Sequence, residues 1–459
     1  MGASETRNDF TQGSVFKNII KMAIPLTVAL LVSVLYSLVD RIYIGHIRGV
    51  GTAALSGIGY ASPVISIVNA FQALISTGGS PLCSIARGEG DHRKAAAFQG
   101  NAYVLLVSLG LVLTVLGEIF SPWLIRKTGG SGEALGYALA YLRIYLLGTV
   151  FLLTGTGMNP FINSQGFAKI GMLTVMIGAV SNIILDPLFI FVFGWGVRGA
   201  AAATVIAQFL ASAWVFRFLT GKRAILRLTR DSMKLQPDLI KRMLSLGITG
   251  FVMQFTNGAV TMVYNTQLSA LGGQLYITSM TIISSVREFV FMPISGFSEG
   301  AKPVIGFNYG AGRYDRVREC IKVITLTLFA VSIVIYGFIQ LEPELIIGIF
   351  NDDPELMTVG VHCLRLFYAV YFMQTFQMCG QTIFTSLGMV RYAITFSLLR
   401  KVAVVIPMAL ILPHFFGIDG VFLSEPVSEC TGALACFITM ILTVLPMLKQ
   451  KELERAAQL

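Results

Sequence analysis

A chain of 459 residues that is 55% hydrophobic and only 13% charged departs from the roughly 25% charge of a soluble domain, which excludes a water-soluble globular protein. The net charge of +10 resides in loops between apolar stretches, so a basic face for nucleic acid is excluded and the expected partner of those loops is anionic membrane lipid. Stretches of about 20 to 30 apolar residues suit helices crossing a core of about 30 Å and are too continuous for barrel strands.

The polar opening, MGASETRNDFTQGS, has no short apolar core followed by a small-residue cleavage site, so the first apolar stretch is expected to remain as a helix. Spans are predicted near 16–44, 52–82, 94–119, 134–161, 168–193, 199–219, 241–270, 274–303, 317–341, 356–386, 391–415 and 420–447. Within the first span, Pro25 removes a backbone hydrogen bond about four turns before Asp40, creating a point where the helix can bend. The fifth span places Asn182 one turn before Asp186 on the same face. The sixth carries Thr204 among alanines that permit close backbone approach.

An ionisable group deep in a spanning helix costs several kcal/mol unless paired or hydrated. Asp40, Asn182, Asp186 and Thr204 together supply hard oxygen ligands for a small cation such as Na⁺, or a proton site. The plainer readings are an interfacial pair of Asp40 with Arg41 and a kink-accommodating role for Asp186 before Pro187; neither accounts for both acids. The second half carries Arg287, Glu288, Glu299, Arg400, Lys401, Glu425 and Glu429, which suit either packing ion pairs or contacts to a substrate. Tyr36, Met292, Glu299, Tyr371 and Gln374 are further candidates for substrate contact or gating, against the plainer reading that such side chains pack between helices or face lipid.

No nucleotide-binding glycine loop, nucleophile elbow or paired Cys/His arrangement occurs, so no enzymatic activity, catalytic residue or cofactor is expected. The six cysteines include no C-x-x-C pair, and the four histidines lack ligand spacing. Basic residues concentrate between the halves (Lys222, Arg223, Arg227, Arg230, Lys234, Lys241, Arg242) and at Arg93, Lys94, Arg313, Arg316 and Arg318. Acidic residues (Glu342, Glu344, Asp352, Asp353, Glu355) gather in opposite loops. By the positive-inside rule both termini are cytoplasmic.

The two halves repeat at an offset of about 222 residues. Gly78, Pro81, Gly88, Gly90, Arg143, Gly166 and Lys169 recur as Gly300, Pro303, Gly310, Gly312, Arg365, Gly388 and Arg391, and Pro187, Gly196 and Gly199 as Pro407, Gly417 and Gly420. The recurring basic positions are read as buried. Six spans per half predict an all-α integral membrane protein of twelve helices in two six-helix lobes, related by a pseudo-two-fold axis along the membrane normal. The expected boundaries are 1–221 for the first lobe, 222–240 for a cytoplasmic linker and 241–459 for the second lobe.

The segments PLTVALLVSVLYSLVDRIYIGH, SNIILDPLFIFVFGWGVRGAAAAT, GFSEGAKPVIGFNYGAGRYDRV and GIDGVFLSEPVSE resemble the multidrug and toxic compound extrusion (MATE) transporters, closest to the bacterial drug-exporter subfamily, over essentially the whole chain. The resemblance implies a monomeric antiporter of the bacterial cytoplasmic membrane that exports cationic amphipathic compounds in exchange for H⁺ or Na⁺ by alternating access. It puts the cation site on Asp40, Asn182, Asp186 and Thr204 and the hinge at Pro25. The seventh span lacks the acid that another branch of the family uses, and Glu299 stands where the subfamily more often has glutamine. The alternative is a lipid-linked precursor flippase or polysaccharide exporter of the same superfamily.

Overall fold

The structure, a computed structural model, describes residues 9–47, 49–127, 132–350 and 353–457; Asp352 of the acidic run lies outside these. No strand occurs among the described residues. Among the described residues, eleven helices are long and apolar enough to cross a membrane: α1 Val15–Gly45, α2 Ala53–Gly88, α3 His92–Lys127, α5 Ala168–Val192, α6 Gly196–Thr220, α7 Pro237–Leu271, α8 Leu275–Gly310, α9 Tyr314–Leu341, α10 Pro354–Ser386, α11 Val390–Phe416 and α12 Asp419–Ala456. A bent pair, Gly132–Leu147 and Thr149–Ser164, supplies α4 and brings the spans to twelve. The chain is a multi-pass membrane protein.

Expected spans and observed helices agree, with informative departures. α2 and α8 run on past Pro81 and Pro303 to Gly88 and Gly310, because the polar ends that hydropathy discards still satisfy their backbone groups as helix. α4 bends by 58° at Gly148, where a side chain would press on Val205 and Gln208 of α6. The equivalent stretch of α10 is also interrupted, passing from Phe367 through a short 3₁₀ turn at Tyr371–Met373 before resuming at Gln374.

The repeat is visible in backbone geometry. Gly90 and Gly312 both close their turns at positive φ (79° and 68°), as do Gly166 and Gly388 (86° and 69°), a conformation glycine adopts without the Cβ penalty. The repeated basic residues, expected to be buried, are not: Arg143, Lys169, Arg365 and Arg391 are exposed or half-exposed. Arg143 reaches Glu118 of α3 at 4.0 Å and Arg365 reaches Glu344 at 3.9 Å, so these cations join neighbouring elements at their rims.

Two compact units divide the chain. The first spans Ile24–Phe251; the second takes Phe10–Ala23 together with everything from Val252 onward. These packing boundaries differ from 221/222 and 240/241, because the opening turns of α1 and α7 are each assigned to the other half's unit. In the first unit, a Cβ on Gly78 of α2 would overlap the Met243 carbonyl of α7. In the second, a Cβ on Gly300 of α8 would lie 2.6 Å from the Ala23 backbone nitrogen of α1.

The connection at 222–240 is docked, not loose. Ala224, Leu226 and Leu228 are buried in the first unit. Gln99 donates to the Leu226 carbonyl (3.0 Å), Gln165 accepts from the Leu226 amide (2.8 Å), and Asn101 accepts from the Gln236 amide (2.7 Å) while donating to the Lys234 carbonyl (2.9 Å). Arg316, read from sequence as a loop cation, is instead buried. Its guanidinium donates to Asn308 (3.2 Å) and to the Phe10 carbonyl (3.1 Å), fastening the start of the chain into the second unit.

Candidate functional site

In the first unit, close packing of α5 on α6 sets the site. The run Ala200, Ala201 and Ala203 is buried, and Gly199 meets the Phe189 backbone where a Cβ would sit 2.6 Å from its carbonyl oxygen. That contact brings Thr204 to Asn182. The Asn182 amide donates to Asp186 Oδ1 at 3.1 Å and to Thr204 Oγ1 at 3.3 Å, and Thr204 donates to the Ala200 carbonyl at 3.0 Å. Just beyond Asp186 and Pro187, residues Leu188–Val192 adopt a π-helical turn, a feature frequent beside functional groups.

Asp40 of α1 lies close to Asp186 of α5. Asp186 and Asn182 are buried and Asp40 is half-buried. Three of their oxygens, Asp40 Oδ1, Asn182 Oδ1 and Asp186 Oδ2, are buried without a hydrogen-bond partner. Buried acceptors without a partner cost free energy, and a proton or small cation would satisfy them.

The second unit holds a different constellation. Glu425 of α12 accepts from Arg400 of α11 (2.7 Å), from Arg287 of α8 (3.3 Å) and from the Tyr264 hydroxyl of α7 (3.1 Å). Arg400 also reaches Glu429 at 3.4 Å, and Ser424 donates to Tyr264 at 3.0 Å. The cluster borders a cavity of about 540 Å³ lined by residues of α7, α8, α10 and α11, among them Asn257, Arg287, Gln374, Arg400 and Lys401. Arg400 and Lys401 sit in the π-helical segment Leu399–Val405, and Glu429 opens another, Glu429–Ala433.

The model of the family described as MatE matches residues 25–188 and again 250–411. The chain belongs to the MatE family. Its two matches fall one in each half, as the repeated glycines require. This MatE chain is similar to the multidrug export protein MepA of Staphylococcus haemolyticus (strain JCSC1435), 26% identical over 430 residues and covering 94% of each. It is also similar to MepA of Staphylococcus aureus (strain NCTC 8325 / PS 47), 24% identical over 433 residues and covering 94% of this chain and 95% of the relative. In fold it resembles an outward-facing multidrug resistance MATE family transporter of the MOP superfamily (TM-score 0.89, 22% identity, 98% of this chain and 99% of the other). The crystal structure of MATE in the bent conformation is likewise similar (TM-score 0.91, 22% identity, 98% and 99%).

Within this MatE fold the sequence candidates separate. Asn182, Asp186 and Thr204 form one bonded group with Asp40 facing it, and Tyr36 lies one turn before Asp40 on α1. Gln374 lines the second unit's cavity. Met292 and Tyr371 are buried outside the cavity lining, and Glu299 is exposed, paired with Lys302 one turn on. α1 remains helical through Pro25, which lies two residues past the Ala23/Ile24 unit boundary. Sequence reading left Ser397 and Ser424 unremarked. Two serines in apolar spans give no periodic or charge signal, and only the fold places them beside Arg400 and Tyr264.

Proposed function

We propose that this chain is a multidrug efflux antiporter that exports cationic amphipathic compounds in exchange for H⁺ or Na⁺ by alternating access. The observation that carries the reading is the set of three buried, unpartnered oxygens on Asp40, Asn182 and Asp186. Such a site accepts a cation or proton and repels an anion. Asp40 and Asp186 would hold the coupling charge, Asn182, itself bonded to the Thr204 hydroxyl, would orient the Asp186 carboxylate, and all four offer the hard oxygens that Na⁺ takes. Binding at Asp40 couples to shape through α1, whose bend point is Pro25. A monovalent charge entering down about 100 mV releases about 2.3 kcal/mol before any concentration gradient is counted.

The export reading draws on the MepA relatives, whose names describe multidrug export. In this reading the protein works as a monomer in a bacterial cytoplasmic membrane, both termini cytoplasmic, with the coupling ion and no other cofactor. Ethidium efflux from proteoliposomes under separately imposed pH and sodium gradients tests it. Wild type is expected to respond to one gradient and Asp40→Asn to neither. Undiminished gradient-driven efflux by Asp40→Asn would remove that acid from coupling, and absence of efflux by folded wild type would favour a lipid-linked substrate instead.

A further inference from the structure

We infer that the cavity of the second unit binds the carboxylate of those amphipathic substrates that carry one beside their cationic group, with Lys401 as its ion-pair partner. The inference rests on the export reading for its physiological meaning, but its argument is the charge balance around the cavity. Three cations border it, Arg287, Arg400 and Lys401. Two carboxylates answer them, and both are spent on the arginines: Glu425 on Arg287 and Arg400, Glu429 on Arg400. Lys401 is the cation of this group that neither glutamate meets. Its partner is the neutral amide oxygen of Asn257 on α7; no carboxylate pairs with it among the described residues. Glu288 also lines the cavity, but its side chain is exposed and stands free of the group.

Donors at the wall point the same way. Arg400 Nε and the Ser397 hydroxyl are buried without a partner, on residues only 5% exposed that both line the cavity. An unmatched buried N–H or O–H is satisfied by an acceptor, and a carboxylate supplies two oxygens for three such groups. The π-helical turn at Leu399–Val405 widens the helix, which lets consecutive residues Arg400 and Lys401 both face the space. A volume of about 540 Å³ suits a drug-sized molecule, and Phe291, Phe367 and Met378 offer its apolar body a surface.

The test uses the full-length protein in lipid nanodiscs, with no gradient, so its outcome is independent of the coupling proposal. Dansylglycine and dansylglycine methyl ester share a fluorophore and differ in the carboxylate. Dansyl fluorescence titration is expected to show the acid binding wild type at least about tenfold more tightly than the ester, the size of one charge-assisted hydrogen bond. Lys401→Gln should abolish that preference while still binding the ester, and Lys401→Arg should keep it. Equal affinity of acid and ester for wild type would overturn the inference, as would a preference that survives in Lys401→Gln.

Discussion

Asn182 shows how one side chain can tie a buried acid to a hydroxyl on a neighbouring helix. Its single amide nitrogen donates both to Asp186 and to Thr204, fixing one face of the carboxylate and leaving the opposite oxygen free. The spacing of Asn182 and Asp186 along one helical face was readable from sequence, because period alone sets it. The closeness of Asp40 to Asp186 was not, since it depends on how α1 meets α5. A similar division applies to Arg400. The charges of α8, α11 and α12 stand out in the sequence as intruders in apolar helices, but which cation meets which acid needs the fold. Because Arg400 pairs with buried Glu429, while Glu425 keeps Arg287 and Tyr264 as further partners, Arg400→Met strands Glu429 and is expected to lower unfolding stability by about 3–5 kcal/mol. Adding Glu429→Gln to it should restore most of the loss. Thermal unfolding of the single and double variants in detergent checks this; a single variant as stable as wild type would show that Arg400 and Glu429 are not a paired unit.

At the scale of elements, glycine does the positioning. Gly78 on α2 admits the Met243 backbone of α7, and Gly247 on α7 lies against Leu74 of α2, so the two helices meet with no side chain between them. Small residues allow such approach in membranes, where packing replaces the hydrophobic drive between helices. Gly78→Val therefore forces α7 away from α2 and is expected to destabilise by about 1–3 kcal/mol, read as a lower unfolding midpoint for the purified protein. An unchanged midpoint would mean that α7 is not seated on that glycine. The sequence exposed Gly78 and Gly300 as a repeated pair without revealing their partners, because a glycine marks where something comes close and not what comes. Helix number and type were fully legible from apolar length. The breaks in α4 and α10 were not, since the hydropathy of both segments is continuous and only Gly148 and the stretch after Phe367 interrupt the backbone.

At the scale of the whole molecule, the chain's order and its packing order disagree. Phe10, close to the start of the chain, is buried in the second unit, stacked edge-on against Phe307 at 5.7 Å between ring centres, while its carbonyl accepts from Asn308 and Arg316. A boundary drawn from the repeat and the span count places it in the first lobe because nothing in the sequence ties residue 10 to residue 316. Phe10→Ala removes a fully buried ring, which costs about 3–5 kcal/mol, and the damage is expected to appear far away in the chain. Hydrogen exchange should rise in the α8–α9 turn around residues 305–320 and stay unchanged in α2 and α3. Faster exchange in α2 and α3 instead would place the opening segment with the first unit.

The crossed assignment of the opening turns of α1 and α7 bears on how the chain is made. Synthesis delivers residues 10–23 long before α8 exists to receive them, and the α2 surface at Gly78 stays bare until α7 begins to emerge. The first unit is completed only once the ribosome has passed Phe251, and the second only when its last helices meet residues 10–23, made well before them. A cut between residues 221 and 222 therefore separates residues that pack into the same compact unit, although it leaves six helices on either side.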